Sequence, residues 1–216
     1  MSPPPGGDAF GPESDPPESG LPQFGPPESG PPDVVPPPLA VILAGGLSRR
    51  MGAPKAVVAL GGRPLLAWAL AAAAEAGLDA VVVAKAGSPL PPVEVPVWAE
   101  PELPVHPLTG VVAALERAAP RAVVASACDM PFVPPALLAR LAALDAVAAA
   151  PAGEAFPARY SPAALPVLRA GLAREAPLRE VLAELDPEVV AVEDPAHALL
   201  GINDPETLAR AEARLR

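Results

Sequence analysis

"LAVILAGGLSRRMGAPK", residues 39–55, decides how the chain is read. Leu39 to Leu43 form an unbroken apolar run of strand length, the pattern of a strand covered on both faces. Directly after it come Gly45, Gly46, Arg49, Arg50, Gly52 and Lys55. A buried strand that empties into a flexible cationic loop points to an anion. Glycine lets backbone amides approach a base or a phosphate without a Cβ in the way. Guanidinium and ammonium groups give charge-assisted donors to phosphate oxygens. The loop is not a Walker A sequence, because Ala53 and Pro54 separate Gly52 from Lys55, and it lacks Gly-x-Gly-x-x-Gly. Read alone, it also fits a plain turn with solvated arginines.

Outward from this loop, the chain alternates strands and helices. "GRPLLAWALAAAAEAG" predicts a helix stopped by Gly77, and "DAVVVAK" a second buried strand. "VEVPVWAE" predicts a third strand, and "LTGVVAALERAA" a helix that ends at Pro120. "RAVVASA" reads as a strand and "PPALLARLAAL" as a helix with proline at its start. "DAVAAA" and "EAFPARY" read as shorter strands, "SPAALPVLRAGLARE" and "APLREVLAEL" as helices, and "EVVAVE" as a strand. "DPETLARAEARLR" closes the chain as a helix capped by Asp204. The alternation predicts an α/β fold with a mostly parallel sheet flanked by helices. Ligands of such sheets bind beyond the carboxyl ends of the strands, which is where the glycine-rich loop falls.

Residues 1–38 differ from the rest. "FGPESDPPESGLPQFGPPESGPPD" carries a loose Pro-Glu-Ser-Gly repeat, no hydrophobic period and no Lys or Arg. This composition predicts a disordered acidic tail, with residues 39–216 as the single globular domain. One reading of the tail is a docking arm or spacer; the other is a dispensable extension.

Composition narrows the function. The 216 residues carry a net charge of −10, which argues against a nucleic-acid-binding role. The lone cysteine, Cys128, cannot form an internal disulfide. No run reads as a membrane span, and the N-terminus lacks the pattern of a secretory signal, so a cytoplasmic protein is expected. Lysine occurs only at Lys55 and Lys85 in an arginine-rich chain. At Lys55 a compact ammonium suits a point charge among phosphates.

A second strand end carries chemistry. "VVASACDMPFVPP", residues 123–135, runs an apolar strand into Asp129. A carboxylate there is costly to bury without a cation or donors to meet it. If the cationic loop holds a triphosphate, Mg²⁺ is the natural partner, since it takes one or two carboxylates together with phosphate oxygens and waters. The alternative is that Asp129 caps a turn. Cys128 reads as a small buried apolar residue rather than a nucleophile. His106 and His197, the two histidines, have no motif around them that would make a catalytic triad.

"LAGGLSRRMGAPK", "GRPLL", "PLTG", "CDMP" and "INDPETL" occur in this order, and with them the chain from Leu39 onward resembles the molybdenum cofactor guanylyltransferase (MobA-like) family. The resemblance implies a Rossmann-like nucleotidyltransferase fold and Mg²⁺-dependent transfer of GMP from GTP to the terminal phosphate of the molybdenum-bearing pterin, with release of pyrophosphate. It implies that Leu43, Ala44, Gly45 and Gly46 contact guanine and ribose through the backbone. Arg50 and Lys55 would hold the triphosphate and Asp129 the metal. Glu100 would take the place of a nucleotide-contacting aspartate, and Asn203 would lie near the pterin phosphate or metal. Implied partners are GTP, the molybdopterin cofactor, and a molybdoenzyme apoprotein or other cofactor-biosynthesis proteins.

The chain departs from the family pattern at Pro54, Ala84, Glu100, His106 and Gly201, which puts the base contacts in question. Two alternatives follow. One is cytidylyl transfer to molybdopterin or nucleotidyl transfer to a sugar phosphate. The other is a non-catalytic nucleotide- or cofactor-binding chaperone.

Overall fold

A computed structural model describes Met1 and residues 36–45, 47–48 and 51–215. Arg50 and Gly46 of the predicted site, and almost all of the predicted tail, lie outside the described residues. The compact unit spans Val35–Arg216.

Its centre is a seven-stranded sheet. In chain order the strands are β1 (Leu39–Leu43), β2 (Ala80–Lys85), β3 (Val97–Glu100), β4 (Val123–Ala127), β5 (Ala148–Ala150), β6 (Ala158–Tyr160) and β7 (Glu188–Val189). The spatial order is 3-2-1-4-6-5-7. β3, β2, β1 and β4 run parallel, β6 is antiparallel to both β4 and β5, and β7 is parallel to β5. The expected α/β class with a mostly parallel sheet is what the chain adopts. β1 is central because it is apolar on both faces, with Leu39, Ala40, Val41 and Ile42 all buried.

Helices cover both faces. On one, α2 (Pro107–Ala118), α4 (Leu165–Ala173) and α5 (Leu178–Ala183) pack Leu108, Leu115, Leu168 and Val181 over Val41 and Val83. On the other, α1 (Leu65–Glu75) and α3 (Pro135–Ala143) set Leu66, Leu138 and Leu141 against Ala40, Ile42 and Val124. Each fully buried Leu or Val contributes about 1.5–3 kcal/mol. α1 stops as expected: Gly77 takes φ +73°, and Leu78 N–H returns to Ala73 C=O at 3.1 Å, the closure of a Schellman turn.

Several predicted boundaries shrink. β3 covers only the second half of "VEVPVWAE", because Pro96 has no N–H for the ladder, although its carbonyl still accepts from Val82 N–H at 3.0 Å. β6 begins after Pro157, and β7 keeps two residues. A hairpin not anticipated joins Ala59–Leu60 to Arg63–Pro64 across Gly61 and Gly62, both at positive φ. A second pairs Leu47–Ser48 with Ala53–Pro54. A short helix, α6, spans Pro195–Ala198. The last helix, α7 (Pro205–Arg214), is capped as predicted: Asp204 accepts from Thr207 N–H at 2.8 Å, and Thr207 Oγ1 accepts from Asp204 N–H at 3.2 Å. The Thr207 N–H and, at 3.0 Å, the Thr207 hydroxyl both donate to the Asp204 carboxylate and hold its carboxyl below the usual range.

Gly171 marks a tight contact between α4 and α5. A Cβ there would sit 2.7 Å from Val181 Cγ1 and 3.1 Å from Val181 Cβ. Val181 is fully buried and cannot swing away. Gly171→Ala is therefore expected to destabilise the protein by about 1–3 kcal/mol, lowering Tm by about 5 °C. A Tm equal to that of the parent would show that the helix pair relaxes to admit the methyl.

Candidate active site

The carboxyl edge of the sheet holds a cavity of about 470 Å³, within the range of small-molecule sites. Three chain segments meet at its centre. β4 leads directly into Cys128 and Asp129, and Cys128 N–H bonds Leu43 C=O at 3.1 Å, so the two strand ends are locked side by side. Lys55 opens a single 3₁₀ turn, Lys55–Val57, immediately after the strand Ala53–Pro54. Asn203 stands just before α7, and its neighbour Ile202 donates its N–H to Asp129 C=O at 2.8 Å.

The side chains converge. The Lys55 ammonium makes a short ion pair with Asp129 Oδ2 and donates to Asn203 Oδ1 at 2.5 Å. Asp129 is 9% exposed and has its cation, as its burial requires. Two oxygens, one a carboxylate and one an amide, thus already gather around one positive charge. That donor set fits a hard oxygen-seeking cation such as Mg²⁺, which completes its shell with phosphate oxygens and waters. Among the described residues no group of three or more His, Cys, Asp or Glu is placed to hold a metal ion.

On the β1–β2–β3 side of Asp129 the cavity is lined by Leu43, Gly45, Lys85, Glu100 and His106. Glu100 closes β3 opposite Lys85 in the register. Its carboxylate lies between two glycines. A Cβ on Gly45 would overlap Oε1, and one on Gly110 of α2 would lie 2.5 Å from Oε2. Burial pushes the Glu100 carboxyl up, Lys85 opposes this and Glu102 adds to it. Ala44 is the one described member of the predicted backbone contacts that does not line the cavity. It is buried, and its N–H is already bonded to Val83 C=O at 2.8 Å.

Glu154, Ala155 and Phe156, from the connection between β5 and β6, line the cavity across Asp129, together with Met130 and Leu199. These five, and a role for Lys85, escaped the sequence reading. Lys85 carried a signal, being one of two lysines and standing at a strand's carboxyl end; an apolar wall such as Phe156 carries none.

The departures from the family pattern find local reasons. His106 caps α2: its Nδ1 accepts from Leu108 N–H at 3.1 Å, which in the neutral ring leaves the proton on Nε2. Gly201 leaves room for Asn203, whose Nδ2 would lie 3.0 Å from a Cβ there. Ala84 is packed with Ile42 and Leu66 rather than facing the cavity. Cys128 is buried, and burial pushes its thiol up to about 12, so it is no nucleophile at neutral pH. His197 lies elsewhere, stacked on Phe132 at 4.5 Å and bonded to Arg214 Nη1 at 2.8 Å.

Sheet order and edge site together define a nucleotidyltransferase-type α/β domain. The same fold is seen in the Archaeoglobus fulgidus molybdopterin-guanine dinucleotide biosynthesis protein A, with a TM-score of 0.66 and 25% identity over 82% of this chain and 97% of that one. It recurs in the 2-C-methyl-D-erythritol 4-phosphate cytidylyltransferase of Thermus thermophilus, with a TM-score of 0.61 and 25% identity over 82% of this chain and 98% of that one. The chain belongs to the MobA-like NTP transferase family, whose model matches residues 40–189. It is 39% identical over 198 residues to the molybdenum cofactor guanylyltransferase of Rhodobacter capsulatus, covering 82% of this chain and 95% of that protein.

Proposed function

We infer that this protein transfers GMP from GTP to the terminal phosphate of the molybdenum-pterin cofactor, releasing pyrophosphate. The observation that carries the inference is the convergence of Lys55, Asp129 and Asn203 at the end of β4, in a chain so similar to a guanylyltransferase over most of its length.

The acceptor is a phosphate monoester whose second pKa is about 6, so it reaches neutral pH already nucleophilic and needs no general base. This agrees with a cavity in which His106 is engaged as a cap and Cys128 is a thiol. The work left to the protein is to align two mutually repelling anions and to offset charge as it shifts onto pyrophosphate. We assign the base end to Leu43, Ala44, Gly45, Gly46 and Glu100, the Ala44 N–H being already bonded to Val83 C=O. Lys55 neutralises the triphosphate beside the reacting phosphorus, and Arg50, by its place in the sequence, assists. Asp129, with Asn203 beside it, holds Mg²⁺, which when bound adds positive charge to the phosphates. The acidic net charge is no obstacle, because cations are needed at the site and not over the whole surface.

Pyrophosphate release, measured with molybdopterin as acceptor and GTP, CTP or UTP as donor, tests the reading. Turnover with GTP alone is expected. A preference for CTP would turn it into cytidylyl transfer, the activity named for the T. thermophilus structural relative. GTP binding without turnover would favour a cofactor-holding role. The reading also implies a cytoplasmic enzyme that hands its product to molybdoenzyme apoproteins. Among the described residues no helix is long and apolar enough to cross a membrane.

The proposal leaves residues 1–38 outside the chemistry, on the ground of their composition. Deleting them is expected to leave the transfer rate within a few-fold of the full chain. A large loss in the truncated protein would assign the segment to the site.

A further inference from the structure

Lys85 lines the same cavity as Lys55 but touches neither Asp129 nor Asn203. Its ammonium donates to the carbonyl of Pro101 at 3.2 Å and to that of Glu102. These are the two residues that follow Glu100 as the chain leaves β3. Among the described residues β3 is the last strand on its side of the sheet, paired with β2 alone. Beyond it, Leu103 and Val105 are 76% and 78% exposed. The next ties come at the far end of the segment, where Thr109 Oγ1 donates to Pro104 C=O at 2.8 Å and His106 caps α2.

Glu100 itself has been given space by Gly45 and Gly110. Among the described residues nothing donates a hydrogen bond to its carboxylate. The oxygens are therefore available to a ligand, yet no bond of their own fixes where they point. A carboxylate accepts from two parallel N–H donors, and the N1–H and exocyclic N2–H of guanine are such a pair.

We propose that Lys85 is the positioning residue for Glu100: by strapping the carbonyls of Pro101 and Glu102 it holds the Glu100 carboxylate at the base end of the cavity, aligned for the two N–H donors of guanine. The guanine part rests on the donor-nucleotide reading given above. The charged groups acting on Glu100 are Lys85 on β2 and Glu102 after β3; His106, at the start of α2, lines the same cavity, while Glu116 and Arg117 lie at the far end of α2. Arg117 is committed to the Trp98 ring at 4.6 Å, and Glu116 to Arg169 at 2.7 Å. Lys85 is thus the cation that offsets both burial and Glu102 at this carboxylate.

Two readouts on the full-length protein test the strap. The first is the titration of the Glu100 carboxyl carbon by NMR, without nucleotide. In Lys85→Met the midpoint is expected to move to higher pH, because burial and Glu102 then act unopposed, and Lys85→Arg is expected to return it most of the way. The second is calorimetric binding of GTP and of ITP, which lacks the exocyclic amino group. The parent is expected to favour GTP by about tenfold or more, the worth of one charge-assisted hydrogen bond. Lys85→Met is expected to lose most of that preference, as is Glu100→Gln. A lysine that merely supports the fold would weaken both nucleotides alike and keep the ratio. An unchanged Glu100 midpoint in Lys85→Met overturns the proposal, as does an unchanged GTP-to-ITP ratio. Failure of the parent to bind GTP at all would overturn the guanine alignment together with the donor-nucleotide reading, while the NMR titration would still read the coupling of Lys85 to Glu100.

Discussion

Asp129→Asn is expected to lower Mg²⁺-dependent transfer about 1000-fold or more, roughly 4 kcal/mol of transition-state stabilisation, while GTP still binds. The substitution keeps shape and hydrogen-bonding capacity and removes one charge. The backbone role of residue 129 is untouched, since its carbonyl continues to accept from Ile202 N–H. Lys55 keeps Asn203 as an acceptor. A carboxylate that served only as a turn cap would tolerate the change, because Asn caps about as well as Asp. Steady-state rates across a Mg²⁺ series make the comparison. Activity near that of the parent, with the same Mg²⁺ dependence, would remove the metal assignment and most of the proposed mechanism.

The second large effect is expected at Lys55. Lys55→Ala should cut the transfer rate by about 100-fold or more, about 2.7 kcal/mol, because the triphosphate loses its point charge beside the reacting phosphorus. The fold should survive, but with a cost that becomes visible only in three dimensions. Asp129 is nearly buried and Lys55 is its ion-pair partner, so removing the ammonium leaves a carboxylate without its cation. A loss of about 1–3 kcal/mol follows, seen as a lower Tm with a single cooperative transition. Lys55→Arg separates the two effects. A guanidinium preserves the charge but spreads it over a planar fork, so stability should recover more fully than turnover. Collapse of the fold in Lys55→Ala with GTP binding retained would mean that the lysine is structural.

The sequence made the architecture legible where patterns are local. Leu39–Leu43 and Ala80–Lys85 read as strands because their apolar runs have strand length, and both are strands. Gly77 and Asp204 read as a helix stop and a helix cap because each meets a need of the backbone itself. The hairpin over Gly61–Gly62 is equally local, since Gly-Gly is a turn signal and both glycines take the positive φ such a turn needs. The strands after Pro96 and Pro157 are shorter than their apolar runs because proline has no N–H for the ladder.

The site was legible in its parts and not in its arrangement. Asp129 at the end of an apolar strand and Lys55 as a rare lysine could both be picked out one at a time. Lys55 lies 74 residues from Asp129 and 148 from Asn203, and no periodicity links such positions. They meet because β1 and β4 are neighbours and because Ile202 is tied to the backbone of Asp129.

By itself, then, the sequence determined the strand and helix types, the caps and the residue kinds available for phosphate chemistry, since these depend on contacts within a few residues. The tertiary structure alone decided which of those residues share a cavity, that Glu100 fits between Gly45 and Gly110, and that Lys85 reaches past Glu100 to the next two carbonyls. Strand order and loop closure set those distances, and they are settled by packing over the whole chain.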